Sequence, residues 1–503
     1  MVYLDTMPLR FGHFRVLITT AMGQFLGAAV ATLSGVLIPL LAIVQHHELD
    51  SVTQGLIASM ELIGIMVGSF VIGKLADKDG YLPFLRLSSI LVFIGALVVY
   101  VSGSIDLLIP SLFVMGFGIG GDFALDSDYV DEVMPKRWQE TMVGITKSFS
   151  ALGNLSAAGG FLFLCSIEWT AEIWRQIFLF VVFLSFLMII SRLFFFKSPG
   201  FLIAKGKFDE ARQVVKAMLG SDVEIPSSYL EKSAPASNGA KVDLFKGENL
   251  QKVIFSGVPW GCSGLGVYGI GIFLPILIMS LGISGFDTSK PGPLGSVMNS
   301  VNLTFIISWF ILIGFIAGLF ILHKVSTVKQ QFYGFLLAAA AVLLLLLCYL
   351  FKWPAAISIA AFVLFELALN AGPNLTTFII PSLVFPLDIK AEGAGYAAFF
   401  GKLGAVIAVF CFPILMKLGG VSLALATSVA VLGLGAFLTY YYAKKLGLEK
   451  GEKDHKSSND FVVFFTYQER LIYANSSIIL ILILSTDTAM TVLLSSRKTQ
   501  TLS

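Results

Sequence analysis

From Val16 to Tyr442 the chain alternates long apolar stretches with short polar breaks. A helix that crosses a bilayer needs about 20 mostly apolar residues. On that measure the pattern predicts twelve spans, over residues 16–44, 53–76, 82–102, 107–132, 139–166, 174–196, 252–281, 299–322, 332–351, 354–381, 391–417 and 420–442. The first stretch is too long for the apolar region of a cleaved leader and is expected to be a true span. One break differs from the rest. Residues 198–250 are polar, with a helical piece at Phe208–Leu219 followed by a Ser/Pro/Gly-rich run from Ser221 to Gly239. This break divides the spans six and six. The expected organisation is a six-helix bundle over 1–197, a cytoplasmic linker over 198–250, a second six-helix bundle over 251–450, and a polar, irregular tail over 451–503. The tail's apolar run, Ile478–Leu484, is too short to span.

Composition agrees with an all-α polytopic membrane protein. Hydrophobic residues make up 56% of the 503 and charged residues 13%, against roughly 25% charged in soluble domains. Mean hydropathy is +0.85. Disorder and nucleic-acid binding are excluded by the same numbers, since a net charge of +2 leaves no basic footprint. The four cysteines lie scattered in apolar runs and the five histidines do not cluster, so neither a metal centre nor a cofactor is expected. Lysines and arginines set the orientation. With the N-terminus cytoplasmic, Arg10, Arg15, Lys74, Lys78, Arg86, Lys136, Arg137, Lys197, Lys205, Lys207, Arg212, Lys324, Lys329, Lys390, Lys444 and Lys445 fall inside, and only a few, Arg175, Lys290, Lys352 and Lys417, fall outside. A multi-pass protein of the plasma (inner) membrane follows, surrounded by lipid and expected to be monomeric.

Ionisable residues within spans cost about 2.5–3.5 kcal/mol each on insertion scales, so they face a cavity or a partner. Here they are Glu61, Asp122, Asp126, Asp128, Lys147, Glu366 and Lys402. Glu61 and Lys402 fall near mid-depth of spans two and eleven, and are expected to pair in one state and part when substrate arrives. Asp122 and Asp126, four apart, share a helix face. Two readings stay open for them: a proton-carrying cavity wall, or a static Asp126–Lys147 pair. Asp128 lies nearer the cytoplasmic end and is expected to be solvated or paired to a loop. Glu366, Asn370 and Asn374 form one helical stripe, and Trp260, Gly264 and Tyr268 another. Gly372-Pro373 interrupts span ten just before Asn374, and the backbone groups it frees need protein, water or ligand beside them.

Several segments carry a family signature. Gly73-Lys-Leu-Ala-Asp77-Lys-Asp-Gly80, between spans two and three, resembles the G-x-L-A-D-x-x-G loop of the major facilitator superfamily. Glu132-Val-Met-Pro-Lys-Arg137 resembles that superfamily's E-x-x-P-x-x-R element, one residue shorter. The stretch from Lys197-Ser-Pro199 to Gly206 and Ala211 resembles its E-S-P-R-W-L…G-x-x-x-E-A stretch. Within the superfamily, Gly121-Asp122-Phe123, Gly372-Pro-Asn374-Leu-Thr-Thr-Phe-Ile-Ile-Pro381 and Gly401-Lys402-Leu-Gly-Ala405 are similar to segments of the phosphate:H+ symporter family. The resemblance implies a major facilitator fold with a phosphate site lined by Asp122, Trp260, Tyr268 and Asn374, and proton movement through Asp122. It also implies a conformational loop of Gly73, Asp77, Gly80, Glu132 and Arg137. The family's span-four tyrosine falls on Phe123 and its span-seven aspartate on Gly264; its first-span acids are absent.

The expectation is a secondary transporter, not an enzyme, that moves a small solute by alternating access. The substrate site is expected to include Asp122, Phe123, Lys147, Trp260, Tyr268, Asn370, Asn374 and Lys402; Glu61, Asp122, Asp126 and Glu366 are candidates for gating or proton coupling. The basic, amide and phenol groups favour an anion such as inorganic phosphate, with uniport or proton symport as modes. An organic anion or a sugar is the alternative substrate. A membrane sensor built on a carrier scaffold is the alternative of another class.

Overall fold

The computed structural model describes residues 2–44, 51–167, 173–225, 244–271, 293–386 and 389–448. Six long helices come first: α1 (Phe11–Val44), α2 (Ser51–Asp79), α3 (Tyr81–Ser102), α4 (Ile105–Val133), α5 (Gln139–Ile167) and α6 (Ile173–Leu193). Two short helices follow, α7 (Pro199–Ala204) and α8 (Phe208–Leu219). The second set comprises α9 (Gly247–Leu265) with a π-turn over Gly266–Ile270, α10 (Pro293–Leu322), α11 (Thr327–Phe351), α12 (Ala355–Ala371), α13 (Pro373–Val384) and α14 (Lys390–Lys445). Ten helical stretches among the described residues are long and apolar enough to cross a membrane; α5 and α10 complete the twelve-helix architecture. The tail over 451–503 and most of the Ser/Pro/Gly run lie outside the described residues.

Two breaks in the second set follow the sequence pattern. Span ten is two helices, because Pro373 has no amide hydrogen to continue α12 and starts α13 at its first position instead. Spans eleven and twelve meet at a kink inside α14, where Gly419 and Gly420 leave helical geometry, at the boundary the sequence pattern places after residue 417.

Packing repeats across the two sets. In the first, α1 lies against α5, α2 against α4, and α3 against α6. In the second, α9 lies against the first part of α14, α10 against α12, and α11 against the last part of α14. Each pairing therefore recurs six spans later. The α2–α4 crossing brings backbones together: a Cβ on Gly68 or Gly116 would overlap the carbonyl of Phe117 or Glu61. A Cβ on Gly404 of α14 would overlap the carbonyl of Gly261 of α9. Small residues permit such approach where lipid gives helices no hydrophobic drive to associate.

One end of the bundle carries the last turns of α2, from Gly73, and the break at Gly80, and is called the loop end below. Gly80 turns the chain there at a φ of 93°, which favours glycine. A short strap is tied across the same end. β1 (Val2–Tyr3) pairs in parallel with β2 (Val223–Glu224). Arg10 donates to both oxygens of Asp222 at 2.6 Å, which holds that carboxyl down at about 2.

Candidate substrate site between the two halves

Phe123 of α4 is the centre of a cluster built from both sets of helices. The Lys402 ammonium of α14 lies 4.4 Å from the centre of its ring and the Lys147 ammonium of α5 lies 4.8 Å from it. Trp260 of α9 and Phe378 of α13 close the cage, with ring centres 6.3 and 6.1 Å from that of Phe123. Lys402 Nζ donates to the Tyr268 hydroxyl at 2.9 Å. Tyr268 sits in the π-turn after α9, which widens the helix at that point. Both lysines are buried, at 6% and 5% exposure, yet neither makes an ion pair among the described residues. Each ammonium lies over aromatic faces, which attract cations without neutralising them.

The stripe on α12 and α13 is a chain of hydrogen bonds. Asn374 Nδ2 donates to Asn370 Oδ1 at 2.8 Å, and Asn370 Nδ2 donates to Glu366 Oε2 at 3.0 Å. Asn370 and Glu366 are buried and Asn374 is half-buried. Protein rather than ligand satisfies the broken backbone at Gly372-Pro373. Gln330 Nε2 of α11 donates to the carbonyls of Ala371 and Gly318 at 2.6 and 2.9 Å.

Asp122 is not in this cluster. It faces into the first set of helices, where Arg192 of α6 pairs with it at 2.8 Å and approaches Asp126 at 3.8 Å. The static Asp126–Lys147 pair is therefore absent: the cation beside Asp126 is Arg192, and Lys147 lies over Phe123. The reason is helical geometry, since one residue step turns a side chain by about 100°. Asp122 and Asp126 thus face α6, while Phe123 faces α5 and the second half. Glu61 and Lys402 are not bonded either. Glu61 is buried with Oε1 free of hydrogen bonds, and it feels the Lys402 charge at longer range. Asp128, expected to be solvated or loop-paired, is fully buried, and neither of its oxygens has a hydrogen-bond partner.

The conformational-loop residues gather where the halves meet at the loop end. Asp77 accepts the Ala391 and Glu392 amides at 3.2 and 2.6 Å, capping the N-terminus of α14. Gly73 lets α2 approach the Ala391 carbonyl, 2.5 Å from where its Cβ would be. Glu132 accepts the Ser198 hydroxyl and, at 3.1 Å, the Gly200 amide, so it holds α7. Arg137 is exposed, with its guanidinium 5.1 Å from the centre of the Trp138 ring. Two further bonds join the halves here: Lys390 to Asp131 at 2.5 Å, and the Thr327 hydroxyl to Glu140 at 2.6 Å.

Sequence reasoning missed Arg192, Asp131, Lys390 as a partner, Phe378 and Gln330. Arg192 carried a legible signal, a cation inside the stretch 174–196. Asp131 and Lys390 are separated by 259 positions, and nothing local joins them.

The twelve-helix architecture and its seam of inward-facing polar side chains define a polytopic membrane protein of the major facilitator class. Residues 24–454 match the family model described as "Sugar (and other) transporter", and the chain belongs to that family. The inner membrane metabolite transport protein YgcS of Escherichia coli is 23% identical over 88% of this chain and 94% of its own length. A D-xylose transporter of Levilactobacillus brevis is 25% identical over 79% of this chain and 85% of its own length. A putative inorganic phosphate transporter of rice is 24% identical over 81% and 85%. Among solved structures, the proton:xylose symporter XylE superposes with a TM-score of 0.70 at 15% identity, covering 86% of this chain and 95% of that one. The chain is thus a multi-pass membrane protein of a transporter family, and the family match is broader than the phosphate symporters alone.

Proposed function

We propose that the protein is a secondary carrier for a small hydroxylated organic anion, of the sugar-acid type, working by alternating access. The observation that carries this reading is the pair of buried ammoniums, Lys147 and Lys402, one from each half, over a single ring with no carboxylate in contact among the described residues. Uncompensated charge within a membrane protein is costly, and a bound anion removes the cost. Tyr268 and Asn374 can hydrogen-bond hydroxyl groups, and Trp260 and Phe378 offer flat apolar faces to a sugar-like body. Relatives named for xylose and for phosphate transport support the two parts of that description, a hydroxylated body and a negative charge. Alternating access follows from halves that meet around the site, proposed as residues 1–197 and 251–450 joined by the linker 198–250. The loop end is proposed to be cytoplasmic, with the N-terminus, in the plasma or inner membrane.

The test is uptake into proteoliposomes of radiolabelled D-gluconate, D-glucuronate, D-xylose and inorganic phosphate. Saturable uptake of a sugar acid, lost in Lys402→Gln, supports the proposal. Uptake of xylose that the acids do not compete with, uptake of phosphate alone, or binding without any accumulation would each overturn it.

A further inference from the structure

Three fully buried charged side chains of the first half stand apart from the substrate cluster. They are Asp122 and Asp126 of α4 and Arg192 of α6. One Arg192 terminal nitrogen donates to Asp122 Oδ1 at 2.8 Å and to the Leu85 carbonyl at 2.6 Å. The other stands 3.8 Å from Asp126 Oδ1, beyond hydrogen-bond length. Asp126 Oδ2 receives the Gln24 amide of α1 at 3.4 Å. Asp122 Oδ2, Asp126 Oδ1, and Arg192 Nε and NH2 have no hydrogen-bond partner.

Charge balance gives the arrangement a consequence. Two ionised carboxylates facing one guanidinium would leave a net negative charge in the membrane interior, which is disfavoured. Close like charges also force one of two carboxyls to keep its proton. Geometry decides which one, because Asp122 holds the guanidinium directly and Asp126 does not. Among the described residues, no other charge faces Asp126. From α1 the neutral Gln24 amide faces it; α3 presents Ser88 and Ser89 to the cluster; Lys147 of α5 is turned to Phe123. Glu61 of α2 faces the Lys402 charge, and Lys390 of α14 is bonded to Asp131.

We propose that Asp126 is a proton-binding site of this protein and that Asp122–Arg192 is a standing ion pair that fixes the cluster's content at one proton. The role of that proton rests on the carrier reading: bound beside an anion, it offsets the anion's charge during translocation. α1 is the element placed to gate it. Gln24 touches Asp126, and Gly23 lies so near Asp122 that a Cβ would stand 2.5 Å from Oδ2. Phe123, next to Asp122 in sequence, carries the substrate cluster on its ring. Proton occupancy at Asp126 and substrate occupancy at Phe123 are thus three residues apart on one helix.

The test needs no transported solute. Purified full-length protein is taken through a pH step, and protonated carboxyl groups are read from the carboxylic-acid C=O band in difference infrared spectra, with proton release counted by a pH dye. Asp126→Asn should lose one proton and its band. Asp122→Asn should lose the same proton, because Arg192 then balances Asp126 alone. Arg192→Gln should gain a second. The three variants are scored only if monodisperse by size exclusion, and any two of them suffice. An unchanged band and count in Asp126→Asn, or no gain in Arg192→Gln, would overturn the proposal, as would loss of thermal stability with the proton count unaltered, the mark of a purely structural cluster. Failure of the uptake panel leaves these readings intact, and failure here leaves anion binding at the lysines intact.

Discussion

A lysine inside a membrane span is informative because it needs a reason to stay charged. Lys402 has the Tyr268 hydroxyl at 2.9 Å and aromatic faces around it, but no bonded anion. Replacing it with glutamine keeps the length and removes the charge. A hydrogen bond to a charged group contributes about 1.5–3 kcal/mol, so Lys402→Gln should weaken anion uptake roughly 10- to 100-fold in kcat/KM, with Lys147→Gln in the same range. Equal KM values for wild type and both variants would show that the anion binds elsewhere. Glu61 predicts the opposite sign. It acts on Lys402 from a distance in this state, so it competes with an incoming anion for the same ammonium. Glu61→Gln should tighten anion binding several-fold, as read by equilibrium dialysis of the solute that the uptake panel identifies; weaker binding would make Glu61 a positioning residue for Lys402. At this scale the sequence was legible for each ion but not for its neighbour. Lys147, Lys402, Asp122 and Asp126 all stood out as charges in apolar runs. Which charge met which depended on helix rotation and on contacts across 70 or more positions, as in Arg192 with Asp122.

Elements are held here by close approach and by repaired backbone. At the α2–α4 crossing, Gly68 lies on the Phe117 carbonyl and Gly116 on that of Glu61. Forcing extra carbons into a packed contact costs about 1–3 kcal/mol, and more where the obstacle is backbone. Gly68→Val should therefore lower the melting temperature of the purified protein, while the same change at Gly271, which has no atom within 4 Å of its would-be Cβ, should cost far less. Comparable melting curves would remove the crossing from the account of stability. The break at Gly372-Pro373 is a second case. Two glycines meet there, since a Cβ on Gly334 would stand 2.6 Å from the Gly372 Cα, and Gln330 bridges two exposed carbonyls. Gln330→Leu takes the donor from the Ala371 carbonyl, at about 1–3 kcal/mol, while the Gly318 carbonyl keeps its place within α10. Asn374 begins the helix after the break, so this loss should also weaken anion uptake, measured as a rise in KM. The break itself was legible from Gly-Pro, as was the helical stripe beyond it. The repair was not, because a glutamine on a neighbouring span looks like any other polar residue at a helix start.

The whole molecule has one inter-half seam and two kinds of contact along it. At the substrate cluster the halves meet through cations and rings that bond weakly to one another. At the loop end they meet through directed bonds: Asp77 to the first amides of α14, Lys390 to Asp131, and Thr327 to Glu140. The described structure is therefore a state with the loop end latched. The twelve-span pattern, the six-and-six division and the turn at Gly80 were readable in advance, because hydropathy and short motifs report helix count and turn position. The latch was not, because it is made by residues on different halves. Lys390 and Asp131 are 4% and 12% exposed. Removing one member of a buried pair strands the other, typically costing about 3–5 kcal/mol, and that cost falls only on the latched state, since an opened loop end lets water reach Asp131. A two-state carrier with a gap of a few kcal/mol would then spend most of its time open at this end. Spin labels at Lys78→Cys and Lys329→Cys, both exposed and on opposite halves, report the separation once the four native cysteines are replaced. Lys390→Ala should move the distance distribution to longer values and Asp131→Asn should do the same, whereas Lys390→Arg should restore the short distance. A short distance retained in Lys390→Ala would mean that the Asp77 cap and the Thr327–Glu140 bond hold the halves together, and Asp77→Ala combined with Thr327→Val would then be the variant that opens them.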